Sequence, residues 1–329
     1  MATGPRTSIV IVTWQGHSRL AACLDAVAAQ CRPHQTIVVD NASTDGTADV
    51  LDSHPSRPRV IRLSRNTGYA GGIAAALPVV DTPFVAWLND DALPKPDWLA
   101  ELEDALLADP GAAAASACLT GADGTVLSLG VRLCHDGHGA DITSIRNPYS
   151  AQAAPVEPVS DTGATEVFGF CGGAALLRTA ALSAAGGVPA EFFCYYEDTD
   201  TAWRLRLAGW RVLAVPTARA SHQQGASTRP GSPRFHLWNE RNRLLMLARC
   251  APAGVAAGQH ARFAALTLLL PLRALRSGHA ACTEPNFRAG VRLAALTGAF
   301  LRLVPALRAR RGQGPSARRR QVWRRWAGR

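Results

Sequence analysis

Four short apolar runs, each set off from the next by a helical segment, constrain this chain more than any other feature. Ser8–Thr13 (SIVIVT), Thr36–Val39, Val60–Leu63 and Phe84–Leu88 have the near-continuous β-branched and apolar character of strands buried on both faces. Between them the sequence predicts a helix from Ser18 through Ala29 and a short one from Asp45-Gly46 to His54-Pro55. An Ala-rich helix follows the glycine-rich turn Asn66–Gly72, and Pro96–Leu107 is helical after the fourth run. A β-α-β-α-β-α-β order implies a parallel sheet with helices on both faces. Such sheets bind ligands beyond the carboxyl ends of their strands. Polar punctuation falls there three times: Thr13, Asp40-Asn41 and Asn89-Asp90-Asp91.

The rest of the chain is less regular. Residues 120–165 are rich in turn formers. Val167–Arg178 is strand-like with a Gly172-Gly173 interruption. An aromatic run, Phe192–Tyr196, leads into Glu197-Asp198-Thr199-Asp200 and a helix to Ala208, then a strand over Arg211–Val215. Beyond the polar stretch Gly225–Pro233 three helices are expected: Arg234–Arg249, Gly254–Arg276 and Phe287–Arg311. Two domains follow, 1–225 and 226–329, which suits a length of 329 residues.

Charge narrows the function classes. The net charge is +10, but twelve arginines and no acidic residue lie beyond Glu284. Without them the chain holds 23 basic and 25 acidic residues, a net of −2. The basic character belongs to a tail, and with no binding fold beside it nucleic acid is not an expected partner. The eight cysteines show no CxxC or finger spacing, so reduced thiols are expected. The apolar run at the N-terminus is too short for a signal sequence, and no run reaches the roughly 18 apolar residues of a spanning helix.

Several constellations carry chemistry. Asn89-Asp90-Asp91 ends a buried strand, and two adjacent carboxylates there need neutralising, which a divalent cation can do; alone, the pair also reads as a solvated turn. Asp40-Asn41-Ala42-Ser43-Thr44-Asp45-Gly46 can hold a base or ribose, or be turn chemistry and a helix cap. Asn66–Gly72 (NTGYAGG) can admit a ligand close to the backbone, or be a tight turn. It is not GxGxxG, and no Walker A sequence occurs. Glu197-Asp198 beside aromatics can be tuned as a general base, or be an acidic first helical turn paired with Arg204 and Arg206. His222 is a ligand candidate only through its order after that acidic motif.

In this order and spacing the motifs resemble family 2 inverting glycosyltransferases of the GT-A fold, nearest the bacterial rhamnosyl- and galactofuranosyltransferase-like subgroup. The matching residues are SIVIVTW (8–14), VVDNASTDGT (38–47), NTGYAGG (66–72), LNDDA (88–92), GGAALLR (172–178), FFCYYEDTDTAWRLRLAGWRV (192–212) and SHQQGAS (221–227). WNERNRLLMLAR (238–249) is similar to the subgroup's helical extension, and coverage is nearly continuous over residues 8–250. The resemblance implies a Rossmann-like α/β domain, its mixed sheet mostly parallel, over residues 1–225, and a helical extension with an Arg-rich tail.

It also implies roles. Thr13, Trp14, Asp40, Asn66 and Gly68 would hold the nucleoside, with Asn89 and Asp90 toward the ribose. Asp91 and His222 would bind a divalent cation, Mn²⁺ or Mg²⁺, bridging the diphosphate. Asp198 would be the catalytic base, with Glu197 and Trp203 on the acceptor side. Expected partners are a dTDP- or UDP-sugar and a saccharide or polyprenyl-linked acceptor, with rhamnose the first sugar by subgroup. Trp14-Gln15 stands where Tyr-Asn is usual, Ile73 replaces a polar residue, and Val188-Pro189-Ala190-Glu191 replaces the usual acidic approach to the aromatic run. None of these removes a proposed catalytic group.

Arginines interleaved with Leu293–Leu296, Phe300–Leu307, Trp323 and Trp326 fit a peripheral helix on an anionic membrane, or a solvated basic end. A cytoplasmic place with a peripheral hold on the inner face of the membrane is the matching expectation. The C-terminal helices could also pair in a homo-oligomer. The alternative function is a non-catalytic nucleotide-sugar-binding scaffold on the same fold.

Overall fold

The structure, a computed structural model, describes residues 4–143, 163–222, 231–277 and 288–327. Much of the boundary expected at Gly225–Pro233 lies outside the described residues. The chain divides into two compact units, Met1–Leu133 with Gly139–Gln224, and Cys134–His138 with Gly225–Arg329.

The first unit opens with β1 (Thr7–Thr13), α1 (Leu20–Ala28), β2 (His34–Asp40), α2 (Thr47–Ser53), β3 (Arg59–Arg62), α3 (Gly68–Ala76) and β4 (Phe84–Asn89). It continues with β5 (Ala92–Pro94), α4 (Trp98–Ala108), β6 (Ala112–Thr120), β7 (Val126–Ser128), β8 (Val131–Leu133) and β9 (Gly139–Asp141). β10 (Thr165–Glu166), β11 (Ala174–Arg178), α5 (Thr179–Ala184), α6 (Glu197–Ala208) and β12 (Arg211–His222) complete it. The sheet runs β10-β12-β6-β11-β4-β1-β2-β3, with β5 and β7 pairing β12 and β6 off this path. The block β4-β1-β2-β3 is parallel, as the alternation predicts, and β11 lies antiparallel between β4 and β6. The result is a mixed α/β sheet, mostly parallel in its first half.

Burial explains the sequence pattern. Every residue of β1 is buried, and its side chains sort by the strand period of two. Ile9 and Ile11 join α1 and α4 on one face, while Val10 and Val12 pack with Ile73 of α3 on the other. Burial on both faces is why the run carries no polar alternation. Ile11→Ala would cost about 2–5 kcal/mol by cavity formation.

The structure departs from expectation where pairing is long-range. Of the strand-like stretch Val167–Arg178 only Ala174–Arg178, after the Gly172-Gly173 interruption, is a strand; before it Gly169 makes an isolated bridge to Val131. The strand expected to end at Val215 runs on to His222, with its register to β6 shifting between Val215 and Arg219. Pro216 lies in that irregular segment, where a missing N–H is tolerated. The resumed strand pairs β5, setting Ser221 against Leu93 and His222 against Ala92. Ser18 does not cap α1; Gly16 carbonyl accepts from the Arg19 and Leu20 amides instead.

The second unit is helical: α7 (Pro233–Cys250), α8 (Ala253–Ser277), α9 (Ala289–Leu301), α10 (Leu303–Arg311) and α11 (Ser316–Trp326). The single helix expected over Phe287–Arg311 is bent by 48° between α9 and α10, with Pro305 in the first turn of α10. Part of the arginine excess is structural. Arg319 donates to the carbonyls of Arg249, Cys250, Arg310 and Gln313, closing the C-terminal ends of α7 and α10. Arg310 donates to Ala248 and Ala251, and the Arg292 guanidinium stacks 3.8 Å from the Phe263 ring centroid.

Candidate active site

Register builds the site. Thr13 lies opposite Asp40 and Val12 opposite Asn89, so three neighbouring strands end at one level. The loop after β1 is tied to the loop after β2. Gln15 amide donates to Ser43 Oγ at 3.0 Å, Gly16 amide to Thr47 Oγ1 at 2.9 Å and His17 amide to Asp45 at 3.1 Å. Asp40 accepts from the Ser43 amide at 2.9 Å. Trp14 stands at the rim, 41% exposed. Gly16 is required here, since a Cβ would sit 2.1 Å from Thr13 Oγ1.

The first acidic pair follows β4. Asp90 is buried and accepts from Thr13 Oγ1 at 2.6 Å and from Arg19 Nη2 at 2.9 Å. Arg19 also donates to the carbonyls of Trp14 and Gln15, both at 2.8 Å, so one guanidinium holds the carboxylate and the loop together. Asp91 Oδ1 lies 3.0 Å from His222 Nε2, and Asn89 Nδ2 lies 2.9 Å from the same nitrogen. The β5–β12 pairing is what carries His222 there from far along the chain.

The second pair opens α6. Asp198 accepts from Gly172 amide at 2.9 Å and, through its other oxygen, from the Thr199 amide and hydroxyl. Burial raises its pKa, and these donors oppose the rise. Glu197 Oε2 is buried with no hydrogen-bond partner, and burial, then the charge of Asp198, pushes its pKa up to about 8. The aromatic run before them is held in an unusual backbone: Phe193, Tyr195 and Tyr196 have φ of 67°, 71° and 69°. Left-handed conformations cost bulky residues about 1–2 kcal/mol each. Phe193 carbonyl accepts from Ala70 amide at 3.0 Å, which binds the run to the start of α3.

Gly172 and Gly173 join the two pairs. Gly172 amide meets Asp198, while Gly173 carbonyl accepts from the Asn89 amide at 3.0 Å. A Cβ on Gly172 would stand 3.3 Å from Asp198 Cβ, and one on Gly173 would stand 3.2 Å from Asn89 Nδ2. Tyr69 hydroxyl donates to Gly172 carbonyl at 2.5 Å, and burial raises its pKa well above the ordinary value. From Asp198 through the glycine doublet to Asn89, His222 and Asp91, the contacts are continuous.

Two expectations need correcting. The glycines of Asn66–Gly72 do not open a ligand cradle. The amides of Gly68 and Thr67 are taken by Asn66 and Asn41 side chains, and a Cβ on Gly68 would lie 2.1 Å from Phe193 carbonyl oxygen. Gly72 faces Val12 with room for no Cβ, so the doublet serves helix–strand packing. Trp203 does not line an open surface: it is 0% exposed, its ring edge-on to Phe168 at 5.7 Å. Nearly every residue of α6 is buried, with Arg204 paired to Asp200 at 2.6 Å and Arg206 paired to Glu166.

Sequence reasoning missed Arg19, Tyr69, Asn41 and Asp141. Asp141 closes β9 at the exposed edge of the site, and desolvation raises its pKa against the opposing effect of the Ser128 hydroxyl. It lies in a stretch whose turn formers hide any motif. Gly172-Gly173 was visible only as an interruption.

Comparison with known proteins bears on what such a site does. The family model described as Glycosyl transferase family 2 matches residues 8–183, which includes the first acidic pair and ends before the second. The N-acetylglucosaminyl-diphospho-decaprenol L-rhamnosyltransferase of Mycobacterium tuberculosis is 28% identical over 240 residues, covering 67% of this chain and 76% of the relative. Among solved structures, the mannosyltransferase of Pyrobaculum calidifontis in complex with GDP-Man and Mn²⁺ aligns with a TM-score of 0.52 at 20% identity, over 92% of this chain and 88% of that one. Residues 1–349 of Staphylococcus aureus TarS in complex with UDP-GlcNAc align with a TM-score of 0.53 at 16% identity, over 96% and 90%. At these identities the likeness to the two structures is one of fold.

Proposed function

The chain belongs to glycosyl transferase family 2, enzymes that move a sugar from a nucleotide donor, and on that premise we propose an inverting, metal-dependent hexosyl transfer at the two acidic pairs. The donor is a dTDP- or UDP-sugar, with rhamnose first. The acceptor is a saccharide or polyprenyl-linked saccharide, as the name of the mycobacterial relative suggests. Its place is the cytoplasmic side of the cell membrane.

The observation that carries the reading is the glycine doublet between the pairs, which sets a cation-seeking carboxylate and a desolvated one into one constellation. Thr13, Trp14 and Asp40 frame the nucleoside, with Asn89 and Asp90 toward the ribose. Asp91 and His222, whose Oδ1 and Nε2 lie 3.0 Å from each other, would hold a divalent cation, with the remaining ligands coming from outside these two side chains. Mn²⁺ or Mg²⁺ held there would neutralise the charge that builds on the departing diphosphate.

The chain's own groups do the rest. The acceptor oxygen forms its bond to the anomeric carbon as the bond to the diphosphate breaks on the opposite face. The electron pair leaves with the diphosphate, and the hydroxyl proton passes to Asp198. Desolvation makes that carboxylate a stronger base, while the Gly172 and Thr199 amides keep it oriented. Glu197, with its pKa near 8, is protonated at neutral pH, which removes like-charge repulsion beside the base.

The test supplies dTDP-rhamnose and UDP-sugars, with Mn²⁺, to the purified chain and an N-acetylglucosaminyl-diphospho-polyprenol acceptor. Mass spectrometry of the product should show one added hexose, and NMR an anomeric configuration opposite to the donor's. Nucleotide binding with no transfer to any acceptor would leave a scaffold instead.

A further inference from the structure

Helices α9 and α10 are apolar on two sides, and among the described residues only one side is covered. Inward, Ala295, Ala299 and Ala306 are buried within the helical unit. Outward, Phe300 is 74% exposed, Leu301 70%, Val304 58% and Leu307 43%. Leu268 on α8 is 71% exposed as well. Its neighbour Thr267 accepts from Arg292 at 3.1 Å, which levels it with Leu293 of α9. A cluster of large apolar side chains on an outer face calls for a partner.

The charge around it decides which. The stretch beyond Glu284 carries arginines and no acid. Arg308 and Arg311, at the end of α10, are exposed. A second copy packed on this face would bring arginine against arginine. A lipid surface with anionic headgroups takes both the apolar side chains and the cations. Helix length decides the depth. The thirteen residues of α9 span about 20 Å, short of the roughly 30 Å of a hydrocarbon core. Together α9 and α10 match a broken span in length and composition, but the 48° bend and the arginines closing α10 suit a pair lying in the interface. Among the described residues no single helix is long and apolar enough to cross a membrane. Of the tail stretches the sequence offered for such a surface, Phe300–Leu307 presents exposed apolar side chains, whereas Val322 and Trp326 of α11 are buried.

We propose that the face of α8–α10 centred on Phe300, Leu301, Val304 and Leu307 docks in the headgroup region of an anionic lipid bilayer, with Arg308 and Arg311 meeting lipid phosphates. The inference stands on the helical unit alone, so failure of the donor-site reading leaves it intact.

The full chain is sedimented with vesicles of phosphatidylcholine alone and of an equimolar mixture with phosphatidylglycerol. Binding is expected to the mixed vesicles, and to weaken with salt. Phe300→Ser with Val304→Ser, and separately Arg308→Gln with Arg311→Gln, should each weaken it about tenfold or more. Nucleotide affinity, measured by calorimetry, should stay unchanged. Leu268→Ser, on a different helix, gives the same test if circular dichroism shows the first pair misfolded. Equal sedimentation of wild type and variants, or no vesicle binding at all, overturns the proposal. A wild-type dimer that dissociates on Phe300→Ser also overturns it, since a second copy then covers the face.

Discussion

The two acidic pairs of the site are built from the same residue types and live in opposite surroundings. Asp90 and Asp91 each face a nitrogen base, Arg19 at 2.9 Å and His222 at 3.0 Å. Glu197 and Asp198 face none: Asp198 has backbone amides and one hydroxyl, and Glu197 Oε2 has no hydrogen-bond partner. The difference separates holding charge from moving a proton. A carboxylate held by a nitrogen partner, as Arg19 holds Asp90 against the desolvation that raises its pKa, suits a metal or diphosphate. A desolvated carboxylate gains basicity and suits proton abstraction.

The largest effect should come from the unpaired side. Asp198→Asn keeps the shape and removes the base, so turnover should fall by about 10²-fold or more. Near-normal turnover in steady-state assays would strip Asp198 of its role and erase the distinction between the pairs. On the paired side, Arg19→Ala leaves Asp90 buried without its cation. We expect a loss of about 3 kcal/mol in chemical denaturation of the first unit. An unchanged midpoint would mean that Thr13 alone satisfies Asp90.

The smallest effect is in pH dependence. Glu197 titrates near 8 when folded, against an ordinary value of 4.5. Between those values the native state keeps a proton that the unfolded chain has released, so this group's contribution to stability falls as pH rises. Glu197→Gln carries no such penalty. Its Tm relative to wild type should therefore rise by about a few degrees from pH 7 to pH 8. A constant difference would show that Glu197 is ionised in the folded protein.

Much of this was legible in the chain itself. β1 and β4 are buried on both faces, so they announce themselves by composition, and the acids that close β2 and follow β4 mark the ligand edge. What was not legible depends on pairing between distant segments. His222 reaches Asp91 only because β12 continues past the irregularity around Pro216 to pair β5. The antiparallel insertion of β11 places Gly172-Gly173 between the acids, and nothing local signals that. Trp203 misled for a different reason. Helix α6 buries charged and apolar residues alike, with Asp200 and Arg204 neutralising each other inside, so no polar face identifies its outer side. Composition also could not tell which tail arginines turn inward: Arg292, Arg310 and Arg319 bind within the helical unit, while Arg308 and Arg311 are exposed.

The claim at the centre is that one pair binds the donor and the other runs the reaction. Calorimetric titration of UDP and dTDP, with and without Mn²⁺, on wild type, Asp91→Ala and Asp198→Asn tests it most directly. Mn²⁺-dependent binding of one nucleotide should be lost in Asp91→Ala and kept in Asp198→Asn. Equal loss in both variants, or binding indifferent to Mn²⁺ and to Asp91, would contradict it.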